Sequence, residues 1–111
     1  MTEKTWKATL DYFGLEGQVA IVTGAGNGIG EATATMLANL GAKVAVCDIE
    51  IARAERVAQN ITNCGGTAIA VACDVGSQEQ IERAVEEVAA QLGSIDILVN
   101  NAAGFGGGET V

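Results

Sequence analysis

A glycine-rich stretch holds the residues of this sequence that are best suited to binding a ligand. Positions 23–30 read TGAGNGIG, so four of the seven residues from Gly24 to Gly30 are glycine. Glycine accepts positive φ and lets a ligand approach the backbone closely. If a helix begins here, its unpaired N–H groups and the positive end of its dipole favour a pyrophosphate. The stretch therefore predicts a phosphate-binding turn, and a tight turn in which glycine only relieves crowding is the alternative.

The spacing of these glycines leaves two classes of nucleotide ligand open. The dinucleotide fingerprint G-x-G-x-x-G fails because its third glycine would fall at Ile29. The pattern G-x-x-x-G-x-G fits with Gly24, Gly28 and Gly30. The pattern G-x-G-x-G, which S-adenosylmethionine-dependent methyltransferases share, fits with Gly26 as its middle glycine.

A carboxylate follows the second apolar run of the sequence. Asp48 lies 24 residues beyond Gly24. A carboxylate at this place accepts hydrogen bonds from both hydroxyls of an adenosine ribose and repels a 2′-phosphate. Positions 25, 27 and 49 hold no Arg or Lys that would attract that phosphate. The pattern therefore favours NAD over NADP, and a solvated carboxylate at a strand end is the alternative.

Polar residues also follow the third and fourth apolar runs. The carboxylate of Asp74 could accept from an adenine amino group while Val75 packs on the ring, and a turn-forming Asp before Gly76 is the alternative. Residues 100–104 read NNAAG. Their paired amides could tie neighbouring strands together and line a ribose pocket, and the small residues leave room for a cofactor. Here too a plain turn is the alternative.

Composition excludes several other kinds of function. The chain has 111 residues, enough for one domain, and a net charge of −8, which opposes binding to nucleic acid. Histidine, the commonest metal ligand and general base, is absent, so no metal site is predicted. No run approaches ~18 apolar residues and no secretory leader opens the chain, so we expect a cytoplasmic protein without a membrane span. The three cysteines are interpreted as small packing residues: Cys47, Cys64 and Cys73.

The elements that must position these residues alternate between strand and helix. Apolar runs predict four buried strands, at 19–22, 44–47, 68–73 and 95–99. Apolar residues at helical spacing predict three helices between them. This alternation implies an α/β fold of the Rossmann type, a doubly wound parallel sheet truncated to four strands in the order 3-2-1-4. A solenoid of repeats is disfavoured because the three units share no consensus.

The predicted buried face of each helix is a stripe of apolar residues. The stripe of the first helix comprises Ile29, Ala32, Thr33, Met36, Leu37 and Leu40, and Gly41 ends that helix. The stripe of the second helix comprises Ile51, Ala54, Val57, Ala58 and Ile61. The stripe of the third helix comprises Ile81, Ala84, Val85, Val88 and Leu92, and Ser77 and Gln80 fit a capping box before it.

This arrangement divides the chain into a lead-in at 1–17 and an incomplete dinucleotide-binding segment at 18–111. The first two helices are expected on one face of the sheet and the third on the other. The fourth strand then forms an unprotected apolar edge. The chain therefore looks like part of a larger unit.

Taken together, the four motifs resemble the cofactor-binding half of the short-chain dehydrogenase/reductase family. The resemblance runs from about Leu15 to Gly104, and residues 15–24 (LEGQVAIVTG) are similar to the family's usual opening. Ala103 is a departure, because the family more often shows Asn-Asn-Ala-Gly. The resemblance implies a Rossmann fold, the cofactor NAD and hydride transfer between an alcohol carbon and nicotinamide. The cofactor-binding residues that it implies are Gly24, Asn27, Gly28, Ile29, Gly30, Asp48, Ile49, Asp74, Val75, Asn101, Ala102 and Ala103.

The family's catalytic residues have no counterpart in these 111 residues. The family uses a Ser and a Tyr followed four residues later by a Lys, whereas the single tyrosine here, Tyr12, is followed at that distance by Glu16. We therefore expect the chain alone to be inactive, and a complete parent to be a homo-oligomer that acts on a small molecule. Two alternatives remain at this point: a non-catalytic NAD-binding or interaction module, and a methyltransferase-type domain.

Overall fold

The computed structural model describes residues 14–101, and its seven elements alternate between strand and helix. The strands are β1 (Val19–Thr23), β2 (Lys43–Asp48), β3 (Thr67–Ala72) and β4 (Ile97–Asn100). The helices are α1 (Gly28–Asn39), α2 (Ile51–Asn63) and α3 (Gln78–Leu92). The four strands form one parallel sheet in the order β3-β2-β1-β4, which confirms the predicted fold class. Most of the predicted lead-in and residues 102–111 lie outside the described residues.

The central strands are apolar except at their ends, where β1 has Thr23 and β2 has Lys43 and Asp48, because both of their faces are covered. All five residues of β1 are buried, as are five of the six residues of β2. Parallel strands that are covered on both sides have no solvent-facing positions, so their side chains do not alternate between apolar and polar. In the register, Thr23 pairs with Cys47 on one side and with Asn100 on the other. The carboxyl ends of these three strands therefore meet at one edge of the sheet.

Two separate cores lie on the two faces of the sheet. On one face, α1 and α2 pack against Val22, Val44 and Val46. On the other face, α3 packs against the side chains that alternate with these, among them Ile21 and Ala45. The predicted distribution of the helices over the two faces is thus confirmed.

The predicted buried face of α1 is wrong. Ile29 is 78% exposed and Met36 is exposed too, whereas the buried residues of the helix are Gly30, Ala34 and Ala38. Small side chains at this spacing let the helix lie close to the sheet. Glycine and alanine contribute little to a hydrophobic pattern, so the larger apolar residues of the neighbouring face dominated the prediction.

The faces of the other two helices are confirmed except at three residues. In α2 the outlier is Ile51, which is exposed at the first residue of the helix. In α3, Ile81 and Val85 are exposed although Ala84 and Val88 are buried. These two side chains flank a part of the sheet that α3 does not cover.

All four predicted strands differ from the observed ones by one or two residues at an end, and the differences in β4 and β3 concern polar residues beside those strands. β4 begins at Ile97 rather than at residue 95, because Asp96 bonds to Val19 at the start of β1 instead of continuing the ladder. The Asp96 N–H donates to the Val19 carbonyl, and the Val19 N–H donates to the Asp96 carboxylate, each at 2.9 Å. β3 ends at Ala72, so Asp74 lies beyond the strand rather than at its last position.

In the part of the chain that the structure describes, no strand pairs with the outer edge of β4, in agreement with the predicted open edge. Burial alternates along this strand between intermediate and exposed, and Leu98 is 66% exposed. Leu98 pairs with Ile21, so its side chain lies on the α3 face of the sheet. Within residues 14–101, no helix has the length and apolarity needed to cross a bilayer.

Candidate nucleotide site

The predicted site residues gather at the carboxyl edge of the sheet. β1 delivers the glycine-rich loop, residues 24–27, directly above this edge, and β2 delivers Asp48 beside it. β4 ends at Asn100, and Asn101 bonds back to the loop. In open parallel α/β sheets, ligands bind outside the carboxyl ends of the strands where neighbouring crossovers diverge. Here that point lies between β1 and β4, since the crossovers run from β1 to one side and reach β4 on the other.

Two glycines of the loop have backbone conformations that other residues adopt at a cost. Gly24 has φ +61° and Gly28 has φ +59°, both in the left-handed region. No described atom lies within 4 Å of a Cβ built on Gly28, so the requirement there is conformational and leaves open space over the backbone. An open, left-handed glycine at a helix start is the arrangement that a closely approaching phosphate needs.

Gly30 is required for a different reason, which is close packing. A Cβ at this position would collide with the Gly24 carbonyl oxygen and would lie 2.7 Å from Nδ2 of Asn101. That same Nδ2 donates to the Gly24 carbonyl at 3.3 Å. The absence of a side chain at Gly30 thus lets α1 begin directly against the end of β1.

The N-terminus of α1 presents backbone N–H groups to solvent. Asn27, the N-cap residue, has an extended backbone. Among the described residues, its side chain accepts no hydrogen bond from an N–H group of the helix. Asn27, Gly28 and Ile29 are all exposed. The first N–H groups of a helix have no partner within the helix, so this end of α1 can bind an anion.

Asp48 is buried beneath the glycine-rich loop and bonds to it. Only 6% of the surface of this residue is exposed. Oδ2 accepts from the Gly26 N–H and Oδ1 accepts from the Glu50 N–H, each at 3.0 Å. A carboxylate oxygen has two lone pairs, so each oxygen retains an acceptor position. The next residue, Ile49, is exposed at the same edge.

The contacts of Gly26 were missed by the sequence analysis, which treated this residue as variable in the favoured motif. A Cβ at Gly26 would lie 2.5 Å from Oδ2 of Asp48 and 2.6 Å from Cβ of Arg53. The Gly26 carbonyl accepts from Arg56 of α2 at 2.8 Å. The same guanidinium pairs with Glu31 of α1, at 2.9 and 3.3 Å to its two carboxylate oxygens.

The Arg56–Glu31 pair shifts the pKa of both groups. The hydrogen bond from Arg56 lowers the pKa of the Glu31 carboxyl below its usual range, and the same contact raises the pKa of the guanidinium. Both groups are therefore charged at neutral pH. No local sequence signal predicts this pair, since its members lie on different helices.

β4 is joined to β1 through hydroxyl and amide groups. The Thr23 hydroxyl oxygen accepts from the Asn101 N–H at 3.0 Å and donates to Oδ1 of Asn100 at 3.2 Å. The prediction that the paired amides tie neighbouring strands together is confirmed. Ala102 and Ala103, also predicted to contact the cofactor, lie outside the described residues.

Asp74 closes a turn with its own neighbours. Its Oδ1 accepts from the Gly76 N–H at 2.9 Å, and its carbonyl accepts from the Ser77 N–H at 2.9 Å. Half of the predicted capping box is formed, because Oγ of Ser77 accepts from the Gln80 N–H at 3.3 Å. The other half is wrong: the Gln80 side chain accepts from the Asp74 N–H at 3.0 Å instead of returning to Ser77.

A groove of about 270 Å³ lies on the α3 face below this edge. Its lining includes the buried thiols of Cys47 and Cys73, together with Val75 and Leu98. Burial raises the pKa of Cys47 to about 12, and the neighbouring Cys73, Glu87 and Asp48 add to that rise.

The role of the cysteines follows from their burial. Burial also raises the pKa of Cys73, and the charge of Asp74 raises it further. Neither of these two thiols ionises at neutral pH, in keeping with packing roles. Cys64 is exposed, so the packing prediction is wrong for that residue. Among the described residues, no three His, Cys, Asp or Glu side chains come together to hold a metal ion.

Comparison with known proteins adds a family model and several close relatives. The model described as short chain dehydrogenase matches residues 18–110. The 7alpha-hydroxysteroid dehydrogenase of Escherichia coli (strain K12) is 43% identical over 96 residues, which are 86% of this chain and 38% of that protein. The D-threitol dehydrogenase of Mycolicibacterium smegmatis is 43% identical over 90 residues, 81% of this chain and 35% of that protein.

The solved structures agree with the sequence relatives. A 7 alpha-hydroxysteroid dehydrogenase complexed with NADH and 7-oxo glycochenodeoxycholic acid superposes with a TM-score of 0.82 at 42% identity, covering 85% of this chain and 37% of that one. The chain therefore spans less than two-fifths of the length of the relatives and structures described here.

Proposed function

This chain belongs to the short chain dehydrogenase family, and from that premise we propose that residues 18–111 form the NAD-binding segment of an oxidoreductase. One observation carries the proposal. The buried carboxylate of Asp48 bonds to the loop that leads into the exposed N-terminus of α1. A ribose-binding acceptor and an anion-binding helix end are thus held side by side, as an adenosine diphosphate group requires.

The proposal assigns one part of the dinucleotide to each group of candidate site residues. The open backbone at Asn27, Gly28 and Ile29 would bind the pyrophosphate, and Gly24 and Gly30 would let it approach. Asp48 and Ile49 would hold the adenosine ribose, and Asp74 and Val75 the adenine. Asn101, with Ala102 and Ala103, would lie near the nicotinamide ribose. When bound, NAD supplies the carbon that accepts or gives up hydride.

NAD rather than NADP is the proposed cofactor. The remaining acceptor positions of Asp48 suit the two ribose hydroxyls and oppose a 2′-phosphate. The two basic side chains of α2 beside the loop are both paired with carboxylates: Arg53 with Glu50 at 3.0 Å and Arg56 with Glu31 at 2.9 Å. The related dehydrogenase structure complexed with NADH supports a nicotinamide cofactor of this type.

The parent reaction is proposed to be hydride transfer between a small alcohol or carbonyl substrate and nicotinamide, in a cytoplasmic homo-oligomer. The 111 residues alone are proposed to bind NAD without turning over substrate, because they lack a Tyr with a Lys four residues later. NAD-dependent oxidation by the pure chain, lost in Asp48→Ala, would contradict this part of the proposal.

Calorimetric titration of the chain with three ligands tests the binding proposal. We expect NAD to bind, NADP to bind at least about tenfold more weakly because of the Asp48 carboxylate, and S-adenosylmethionine not to compete. NADP binding as tightly as NAD would contradict the cofactor assignment. Binding of S-adenosylmethionine without binding of NAD would instead favour the methyltransferase-type alternative.

A non-catalytic binding module is the second candidate, and the exposed β4 edge favours it. Leu98 and the apolar groove beside it offer a surface on which another chain could pack. The intact mass of the protein from its native host separates the two candidates. A chain much heavier than 11.2 kDa favours the dehydrogenase, and a mass that matches 111 residues favours the module.

A further inference from the structure

The backbone of Gly26 is held on both sides of its Cα atom by side chains of other elements. On one side the Gly26 N–H donates to Asp48 at the end of β2, and on the other the Gly26 carbonyl accepts from Arg56 of α2. Gly26 is buried, and its packing leaves no space for a side chain. The middle of the glycine-rich loop is thus fixed by two charge-assisted hydrogen bonds, which are stronger than those between neutral groups.

The same arginine compensates a charge that is unfavourable for the proposed ligand. Glu31 lies in the first turn of α1, close to the helix end proposed to bind pyrophosphate. An isolated carboxylate there would repel an anionic ligand. Arg56 pairs with both of its oxygens, a geometry in which the guanidinium offsets the negative charge.

From these contacts we propose that Arg56 is a positioning residue for the dinucleotide. It fixes the Gly26 carbonyl, and with it the path of the loop into α1, and it neutralises Glu31 beside the pyrophosphate site. This inference rests on the proposed NAD-binding function. Arg56 acts through Gly26 and Glu31 and needs no contact with the cofactor.

A second arginine–glutamate pair in the chain provides a matched control. Arg83 pairs with Glu79 at 3.0 Å on the exposed surface of α3, one turn apart on the same helix. Arg56 pairs with Glu31 at 2.9 Å, and its side chain is 51% exposed. Both arginines can therefore be replaced without opening a cavity in either core, and only one of them reaches the loop.

The test compares NAD affinity among variants whose folding is checked by urea denaturation. We expect R56A to bind NAD about tenfold more weakly than wild type, and R83A to bind within about twofold of it. E31Q, which removes the charge and keeps an oxygen for Arg56, should bind at least as tightly as wild type. In the double variant E31Q/R56A, the loss of NAD affinity on a logarithmic scale should be about half of that in R56A, because only the Gly26 contact is then missing.

Salt dependence separates this role from a general loss of stability. The part of the R56A defect that comes from uncompensated Glu31 should shrink as salt is raised from low ionic strength to about 1 M, where the Debye length is about 3 Å. R56K should restore part of the affinity, because an ammonium can bond to the carbonyl and to one carboxylate oxygen but cannot do so bidentately.

The outcomes distinguish this inference from the proposed function. If wild type does not bind NAD, the proposed function fails and this inference fails with it. If wild type binds NAD and R56A binds within twofold of it, the proposed function stands and the positioning role of Arg56 is wrong. Equal losses in R56A and R83A would also contradict the inference, since the control pair is remote from the loop.

Discussion

Two strand-to-helix loops of this chain are held in place in different ways. The glycine-rich loop connects β1 to α1, and residues 73–77 connect β3 to α3. In the second loop the bonds are local: Oδ1 of Asp74 accepts from Gly76, and Oγ of Ser77 caps the Gln80 N–H. In the first loop, Asn27 leaves the helix uncapped in the part of the chain that the structure describes.

The two loops differ in which elements supply the groups that form hydrogen bonds with them. In the loop before α3, the N–H groups of Gly76 and Ser77 bond to Asp74, and the Asp74 N–H bonds to Gln80 in the first turn of α3, so few remain for a ligand. The glycine-rich loop is held by Asp48, Arg56 and Asn101, which come from β2, α2 and the end of β4. A loop held from outside can be rigid while the helix N-terminus beyond it stays available. This distinction, more than the number of glycines, separates a binding loop from a structural turn.

The largest effect on this comparison is expected from crowding Gly30. Gly30→Val places a side chain against the Gly24 carbonyl and Asn101. We therefore expect the free energy of unfolding to fall by about 3 kcal/mol or more, and NAD binding to be lost. Urea denaturation monitored by circular dichroism measures the first. Gly76→Ala in the other loop is the control, since its Cβ meets only the Asp74 carboxylate, at 3.2 Å. A similar loss in both variants would remove the distinction between the loops.

The second effect is expected at Asp48. Asp48→Asn replaces one acceptor oxygen by an N–H₂ group, so either the Gly26 bond or a ribose bond is lost, and NAD affinity should fall about tenfold. The control is Asp96→Asn, which alters a carboxylate bonded to Val19 at the opposite end of β1. Titration should show reduced stability with unchanged affinity for the control. Unchanged affinity in Asp48→Asn would disprove the ribose assignment.

A smaller effect should separate the two helix N-termini directly. Ser77→Ala removes the cap of α3 and should cost about 1 kcal/mol of stability without changing NAD affinity. Asn27→Ala, at the equivalent position of α1, should cost less because its side chain caps no N–H group there. Thermal and urea unfolding of the two variants provide the comparison. The reverse order of stabilities would mean that α1 is capped after all.

The smallest effect near neutral pH concerns the thiols beside the two loops. The pKa of Cys47 is raised from 9.0 to about 12, so above pH 9 the unfolded state loses a proton that the folded state retains. Stability from this group is therefore complete below about pH 9 and declines as pH rises towards 12. Cys47→Ala should flatten that decline in urea titrations at pH 8 to 10. An unchanged slope would assign the decline to other groups.

Thiol labelling follows the same burial. Cys64 is exposed and should react first with an alkylating reagent at pH 8, while the buried Cys47 and Cys73 should react only as fast as the fold opens. Mass spectrometry of partly labelled protein gives the order. If Cys47 reacted as fast as Cys64, the end of β2 beside the glycine-rich loop would not be closed as described.

The sheet could be predicted from sequence because its signals are contiguous. The runs at 19–22 and 44–47 are apolar without interruption, and glycines or polar residues punctuate the chain between elements. The order of the strands followed from interpreting the first three strands as one mononucleotide-binding half. The buried face of α1 could not be predicted in this way, since Gly30, Ala34 and Ala38 carry almost no hydrophobic signal.

The sequence indicated which candidate site residues lie at the ends of strands, but not the contacts that these residues make. Asp48 was identified from its distance to Gly24, yet its bond to Gly26 spans 22 residues and that of Arg56 to Gly26 spans 30. Such bonds depend on how α2 lies on the sheet, which no local pattern records. The Gln80 side chain shows the same limit at short range, because Asp74 offered its N–H in competition with Ser77.

The position of β1 has a consequence for the synthesis of the chain. Among the strands that the structure describes, β1 is made first, and it lies in the interior of the order β3-β2-β1-β4. One edge of β1 pairs with β2, where Val22 pairs with Val46. The other edge bonds to residues that are synthesised 77 positions later. At a ribosomal rate of about 5–20 residues per second, this edge stays open for roughly 4–15 s. During that interval the unpaired edge of β1 is accessible to neighbouring nascent chains. Mispairing with a chain on the same polysome therefore competes most directly with folding at this stage of synthesis.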